Sequence, residues 1–168
     1  DNLGIANIEV KSDNDPDVRS YINPIEIDWK IVSLPIPLIK TAGEVKDYLD
    51  ERFRNLREIG LIKSMYSTRK DLLQAGKILG NGAERFSASF RKPSFMYYKA
   101  LMDYATALKA EHALELLETQ GVHQTLKYME RMAQESVKKK TPRSTVSFIR
   151  DPRIVAFVTS LKRLVHEG

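Results

Sequence analysis

The apolar positions change period once along this chain. Up to about residue 40 they alternate or gather in short β-branched runs, and from Thr41 onward they recur every three to four residues. Residues 5–10 (IANIEV) and 25–34 (IEIDWKIVSL) predict two strands, the second with Ile25, Ile27 and Trp29 alternating with Glu26 and Asp28. The intervening DNDPDVRSYINP is turn chemistry, and Pro35-Ile-Pro37 ends the second strand because proline supplies no ladder donor. Two strands alone are marginal in water. Residues 1–40 therefore read as the edge of a larger sheet, and a chain opening at Asp1-Asn2 without a start methionine agrees with an excised fragment.

The helical part divides at its glycines and prolines. Thr41 with Glu44 predicts a capping box, after which Val45, Leu49, Phe53, Leu56 and Ile59 share one side until Gly60. A second helix starts near Ser67, carries Leu72, Leu73, Ala75, Ile78 and Leu79, and ends at Gly80. Residues 80–93 (GNGAERFSASFRKP) show no period and read as a loop. A long helix of about 40 Å then runs from about Ser94 to Gln120, Gly121 is its C-cap, and a fourth helix runs from Val122 to about Lys139. Residues 141–145 read as a linker. Asp151 as N-cap, with Pro152 at the first position, opens a last helix through His166 whose inward side is Ile154, Phe157, Val158, Leu161, Leu164 and Val165. The fold class expected is mainly α: a bundle of about five helices over residues 41–168, with a small β segment over 1–40.

The two helices around Gly121 use their polar residues differently. The first is apolar on more than one side, as a central packed helix must be. The second places Val122, Leu126, Met129, Ala133 and Val137 within about 80° and Lys127, Arg131 and Lys138 within about 40° on the opposite face. Lys139, Lys140 and Arg143 continue the ridge, while Glu130 and Glu135 fall to either side of it. A solvated helix face explains lysines in general; an unneutralised ridge leading into a Lys-rich tail favours phosphate contacts.

Bulk properties narrow the classes. At 168 residues the chain suits one core, and with no cysteine it has neither disulfides nor thiolate metal sites. Neither a membrane span nor a signal-peptide pattern is present, so the expected setting is the cytoplasm, or the nucleus in a eukaryote. Charge is uneven: residues 1–40 carry four basic against seven acidic side chains, residues 121–168 ten against four. A positive field concentrated in this way favours polyanions. No P-loop, HExxH, GxSxG or GxGxxG pattern is present, and the three histidines are far apart, so no catalytic centre or metal site is expected here.

Three smaller constellations matter. His112 and Glu115 are three apart, in the arc of Leu101, Tyr104, Ala105, Leu108 and Leu116, and read as a structural pair rather than a functional one. Arg85, Phe86, Phe90, Arg91 and Lys92 interleave cations with aromatics, which suits stacking on exposed bases and equally a core beneath a loop. Tyr97, Tyr98 and Tyr104 read as helix packing.

The sequence HALELLETQG at 112–121, followed by KYMERM at 127–132, resembles the helical insert of Hef-type superfamily-2 helicases, the archaeal Hef proteins and their eukaryotic Fanconi anaemia M-protein relatives. Upstream, NLGIANIEVKSDNDPDVRSYI resembles the end of the first motor domain, DWKIVSLP the strand that leaves it, and ERFRNLREIGLI the first insert helix. The resemblance covers nearly the whole chain. It implies a thumb-like domain between two ATP-hydrolysing motor domains, gripping branched or fork-structured DNA in repair. ATP and Mg would belong to the parent helicase, and no catalytic residue carries over. On this reading the DNA-binding residues are Lys127, Arg131, Lys138, Lys139, Lys140 and Arg143, with Arg85, Arg91 and Lys92 as second choices. The loop at 80–93 and the linker at 138–150 depart from the family pattern. Two rival expectations are a protein-docking helical module without a nucleic-acid role, and the double-stranded-RNA-contacting insert of a related RNA helicase.

Overall fold

Five helices begin at or directly after a proline (Pro16, Pro35, Pro93, Pro142 and Pro152), and this shifts some boundaries from those expected. The computed structural model describes residues 9–12, 14–21, 27–30, 35–64 and 68–167. It divides into two units, Asp1–Ser33 and Leu34–Gly168.

In the first unit, α1 (Pro16–Arg19) is one turn opening on Pro16. Proline's fixed φ and missing N–H suit a first turn. Lys11 pairs with Asp17 and, at 3.3 Å, with Glu9. The two expected strands fall mostly outside the described residues. Their described parts, Glu9, Val10 and residues 27–30, are not in strands, and Val10, Ile27 and Trp29 are exposed. An edge strand needs a neighbouring ladder and an apolar face to cover, and these residues have neither.

The second unit is a helical bundle. Its helices are α2 (Ile36–Ile59), α3 (Arg69–Leu79), α4 (Ala83–Phe90), α5 (Ser94–Ser136), α6 (Arg143–Arg150) and α7 (Pro152–Glu167). Helix α2 starts ahead of the predicted cap: Pro35 is its N-cap residue, and Thr41 lies inside, buried, its hydroxyl donating to the Pro37 carbonyl at 2.8 Å. The expected inward side, Val45, Leu49, Phe53, Leu56 and Ile59, is buried, joined by Tyr48. Gly60 ends the helix in the left-handed conformation (φ 93°) that glycine adopts without penalty.

Two segments expected to be irregular are helical. Residues 83–90 form α4 because Phe86 and Phe90 can reach inward from one short helix: Phe86 is buried, its ring 5.0 Å from Phe90 and 5.6 Å from Tyr97. Residues 143–150 form α6, burying Ser144, Thr145 and Phe148, with the Phe148 ring edge-on to Tyr48 at 5.5 Å. Tertiary burial thus overrides weak local propensity in both. Helix α3 begins at a capping box between Thr68 and Asp71, with the Thr68 amide donating to Asp71 at 2.8 Å. The last helix opens as predicted, the Asp151 carboxylate accepting the Arg153 amide at 3.0 Å.

Helix α5 is central and packs against every other helix of its unit. Its buried residues Ala100, Ala107, Ala110 and Ala113 are small, which lets neighbouring backbones approach closely. Gly76 of α3 shows the same closeness, since a Cβ there would lie 2.2 Å from the Tyr104 hydroxyl. The chain turns back at Gly121 (φ 80°, ψ −174°). His112 and Tyr128, about 24 Å apart along a continuous helix, have ring centroids 4.9 Å apart. The predicted hairpin is therefore present as two arms of α5.

Candidate nucleic-acid interface

The second arm of α5 is rotated slightly from the expected register. Its buried residues are Thr125, Met129 and Met132, with Val122, Leu126 and Tyr128 partly covered. Ala133 and Val137 are exposed, because the helix ends at Ser136 and nothing covers its last turn. Lys127 and Arg131 are exposed. Lys138 falls in the following turn, its amide donating to the Glu135 carbonyl at 3.0 Å, so it follows the helical ridge rather than sharing its face. Lys139, Lys140 and Arg143 are also exposed, Arg143 at the start of α6.

None of these six cations forms an ion pair among the described residues. The nearby Glu130 is 4.0 Å from Lys162 instead. These cations run from the second arm through a turn to the start of α6, and exposed cations without an acidic partner are the chemistry that attracts phosphates.

A groove of about 540 Å³ lies along the hairpin. Lys127 and Arg131 form part of its wall, as do Gln120, Gln124 and Gln134. His112, Leu116, Tyr128 and Glu130 complete it. The His112–Glu115 pair exists, Nδ1 to Oε2 at 3.2 Å, but both side chains are 44% exposed, so it stands at the groove rather than in an apolar interior. Of the arc containing it, His112 and Leu116 line the groove, whereas Tyr104 lies against Gly76 of α3, which helical angles alone do not reveal. Arg69 of α3 donates to Glu115 at 2.5 Å and lies 3.5 Å from Glu111. That hydrogen bond, then the one from His112, holds the Glu115 carboxyl below its ordinary range. Burial raises the Glu111 carboxyl, and burial likewise raises the Tyr128 hydroxyl.

The second-choice cations lie on another part of the unit. Arg85 is exposed on α4, Arg91 ends that helix with φ 52°, and Lys92 is half-buried. Phe86 and Phe90 serve the core, which resolves the two readings of that segment in favour of packing. Tyr97 packs as expected, its hydroxyl donating to the Leu79 carbonyl at 3.1 Å, whereas Tyr98 is 62% exposed.

An ionic cluster inside the bundle was not anticipated. Arg52 of α2 donates to Asp103 of α5 at 2.8 Å, with Asn55 donating to the same oxygen at 3.2 Å. Arg52 is also 3.2 Å from Glu51 and 3.9 Å from Asp151. Arg153 bonds Asp151 at 3.0 Å and Glu51 at 2.5 Å, and both guanidinium groups lie over the Tyr48 ring, at 4.6 and 4.8 Å. Asp103 is only 3% exposed. The cluster joins residues 51–52, 103 and 151–153, which lie far apart in sequence, and the one local signal is a charge within each apolar stripe: Arg52 beside Leu49 and Phe53, and Asp103 between Ala100 and Ala107.

Among the described residues, no group of acidic or histidine side chains is placed to hold a metal ion, and no helix is long and apolar enough to cross a membrane. The chain is similar to "Putative ATP-dependent RNA helicase MJ1505" of Methanocaldococcus jannaschii, with 27% identity over 164 residues, 97% of this chain and 19% of that protein. It is also similar to the crystal structure of the Pyrococcus furiosus Hef helicase domain, with a TM-score of 0.72 and 29% identity, covering 99% of this chain and 34% of that one. It thus spans about a fifth and about a third of the lengths of these relatives. Residues 42–167, three quarters of the chain, match the family described as "Putative ATP-dependent RNA helicase, helical bundle", and the chain belongs to that family of helicase helical domains.

Proposed function

We propose that the helical unit is the nucleic-acid-gripping insert of an ATP-dependent DNA helicase that acts on branched or fork-structured DNA in repair. The observation that carries this reading is the set of exposed cations Lys127, Arg131, Lys138, Lys139, Lys140 and Arg143, without an ion pair among the described residues, that runs from the second arm of α5 through a turn to the start of α6. Point charges on a packed scaffold contact phosphates without reading base sequence, which suits a domain that must hold any duplex. Arg85, Arg91 and Lys92 form a weaker second patch. ATP and Mg²⁺ would be handled by two motor domains of the same protein, whose movement this unit would couple to the gripped duplex. The resemblance of residues 112–132 to Hef-type helicases favours DNA, and the similarity to the Hef helicase domain agrees with that resemblance. The M. jannaschii relative is named as an RNA helicase, which supports RNA as the second reading.

Titration of fork DNA, blunt duplex DNA and duplex RNA at several salt concentrations tests it. DNA affinity should fall steeply with salt, each lost phosphate contact lowering the logarithmic slope by about 1. Charge reversal at Lys127, Arg131 and Lys138 together should weaken binding at least about tenfold. No binding at low salt, or binding indifferent to the reversals, refutes the reading. Stronger binding to duplex RNA transfers it to RNA.

A further inference from the structure

We infer that the groove between the arms of α5 receives an unpaired nucleotide, placing this unit where duplex gives way to single strand. The inference rests on the nucleic-acid reading above and extends it from the phosphate backbone to a base. Lys127 and Arg131 suffice for backbone contact, yet they share the groove with groups a phosphate does not require. Gln120, Gln124 and Gln134 each carry an amide that both donates and accepts, and all three are exposed. A phosphate uses only the donors; a base edge uses both.

Beside the amides stand two rings, His112 and Tyr128, 4.9 Å apart and nearly perpendicular at 88°. Half-exposed rings next to cations are the composition on which unpaired bases stack without sequence preference. The volume of about 540 Å³ is on the scale of a small-molecule site. Glu115 is bonded by Arg69 and His112, and Glu130 lies 4.0 Å from Lys162; neither Lys127 nor Arg131 is in an ion pair among the described residues, so both remain available to the strand. A strand whose phosphates engage Lys127 and Arg131 brings its bases to the amides and rings of the same groove.

Fluorescence anisotropy of this chain with a blunt DNA duplex, and with the same duplex bearing a thymine overhang of about ten nucleotides, tests the assignment. The overhang should tighten binding by about fivefold or more, and 2-aminopurine in the overhang should be quenched on binding. The double variant Gln120→Ala/Gln124→Ala, both exposed and so free of core cost, should remove the gain and the quenching. Lys127→Glu should weaken both substrates. If the overhang adds nothing over the blunt duplex, or the double variant keeps gain and quenching, the groove assignment is overturned while duplex gripping stands. If neither substrate binds at low salt, the underlying reading fails as well.

Discussion

Arg52 decides more about this bundle than any cation on its surface. Its guanidinium bonds a nearly fully buried carboxylate, Asp103, and stacks on Tyr48. Removing one partner of such a pair strands the other's charge, at a cost of about 3–5 kcal/mol. Arg52 is itself 19% exposed, which lets water reach the pair and favours the lower end. Arg52→Met is expected to lower the unfolding free energy by about 3 kcal/mol. The double variant Arg52→Met/Asp103→Leu should lose clearly less than the sum of the single changes. Additive losses in denaturant titrations would show that the two residues are not coupled. The pair was hard to read from sequence because Arg52 and Asp103 lie 51 residues apart. His112 teaches the reverse: its pairing with Glu115 followed from spacing, but its exposure depended on where the second arm lies.

At the scale of elements, boundaries marked by glycine or by an Asp-Pro start were legible, whereas the Thr41–Glu44 capping signal lies inside α2 and boundaries set by packing were not legible. Gly60, Gly121 and the Asp151-Pro152 start behave as their residue types dictate. Helices α4 and α6 do not stand out in the sequence because eight-residue helices have little intrinsic stability. Burial of Phe86 and Phe148 stabilises them, and that burial is visible only once α5 is in place. The cationic row was legible as composition, while the turn that takes Lys138 off the helical face was not. Gly121 makes the sharpest element-scale prediction. Its φ of 80° with ψ of −174° lies in a region essentially reserved for glycine, although a Cβ there would meet no atom within 4 Å. Gly121→Ala should therefore cost about 1–3 kcal/mol through backbone strain alone. Chemical denaturation measures it, and a loss under about 0.5 kcal/mol would mean that the turn tolerates an ordinary residue. Because the turn closes the groove, the same variant should also reduce the overhang's contribution to binding.

Across the whole helical unit, acid should act through carboxylates that tie helices together. Asp151 caps α7 and engages Arg153 and Arg52; burial alone would raise its carboxyl, but the Arg153 hydrogen bonds outweigh this and hold it below the ordinary range. The Thr68 amide and hydroxyl lower Asp71 at the start of α3, and Arg69 and His112 lower Glu115. For each, the folded pKa is depressed, so the unfolded chain binds more protons as acid is added. The stabilisation is fully present above the unfolded carboxylate values of about 4 and is lost as pH falls through the folded ones. Glu111, raised by burial, acts in the opposite sense and slightly offsets the loss. The denaturation midpoint should be nearly flat from about pH 8 to pH 6 and should fall below about pH 4. Asp151→Asn keeps a competent N-cap while removing the charge, so it should lower the neutral-pH midpoint and flatten the acid limb. A variant whose acid limb is as steep as that of the parent would assign the acid sensitivity to other groups. The interface should follow salt rather than pH for as long as the bundle stays folded, since it owes its attraction to screened charge. DNA binding that collapses at a pH where the fold persists would refute this, by showing that a titrating group contributes to the grip.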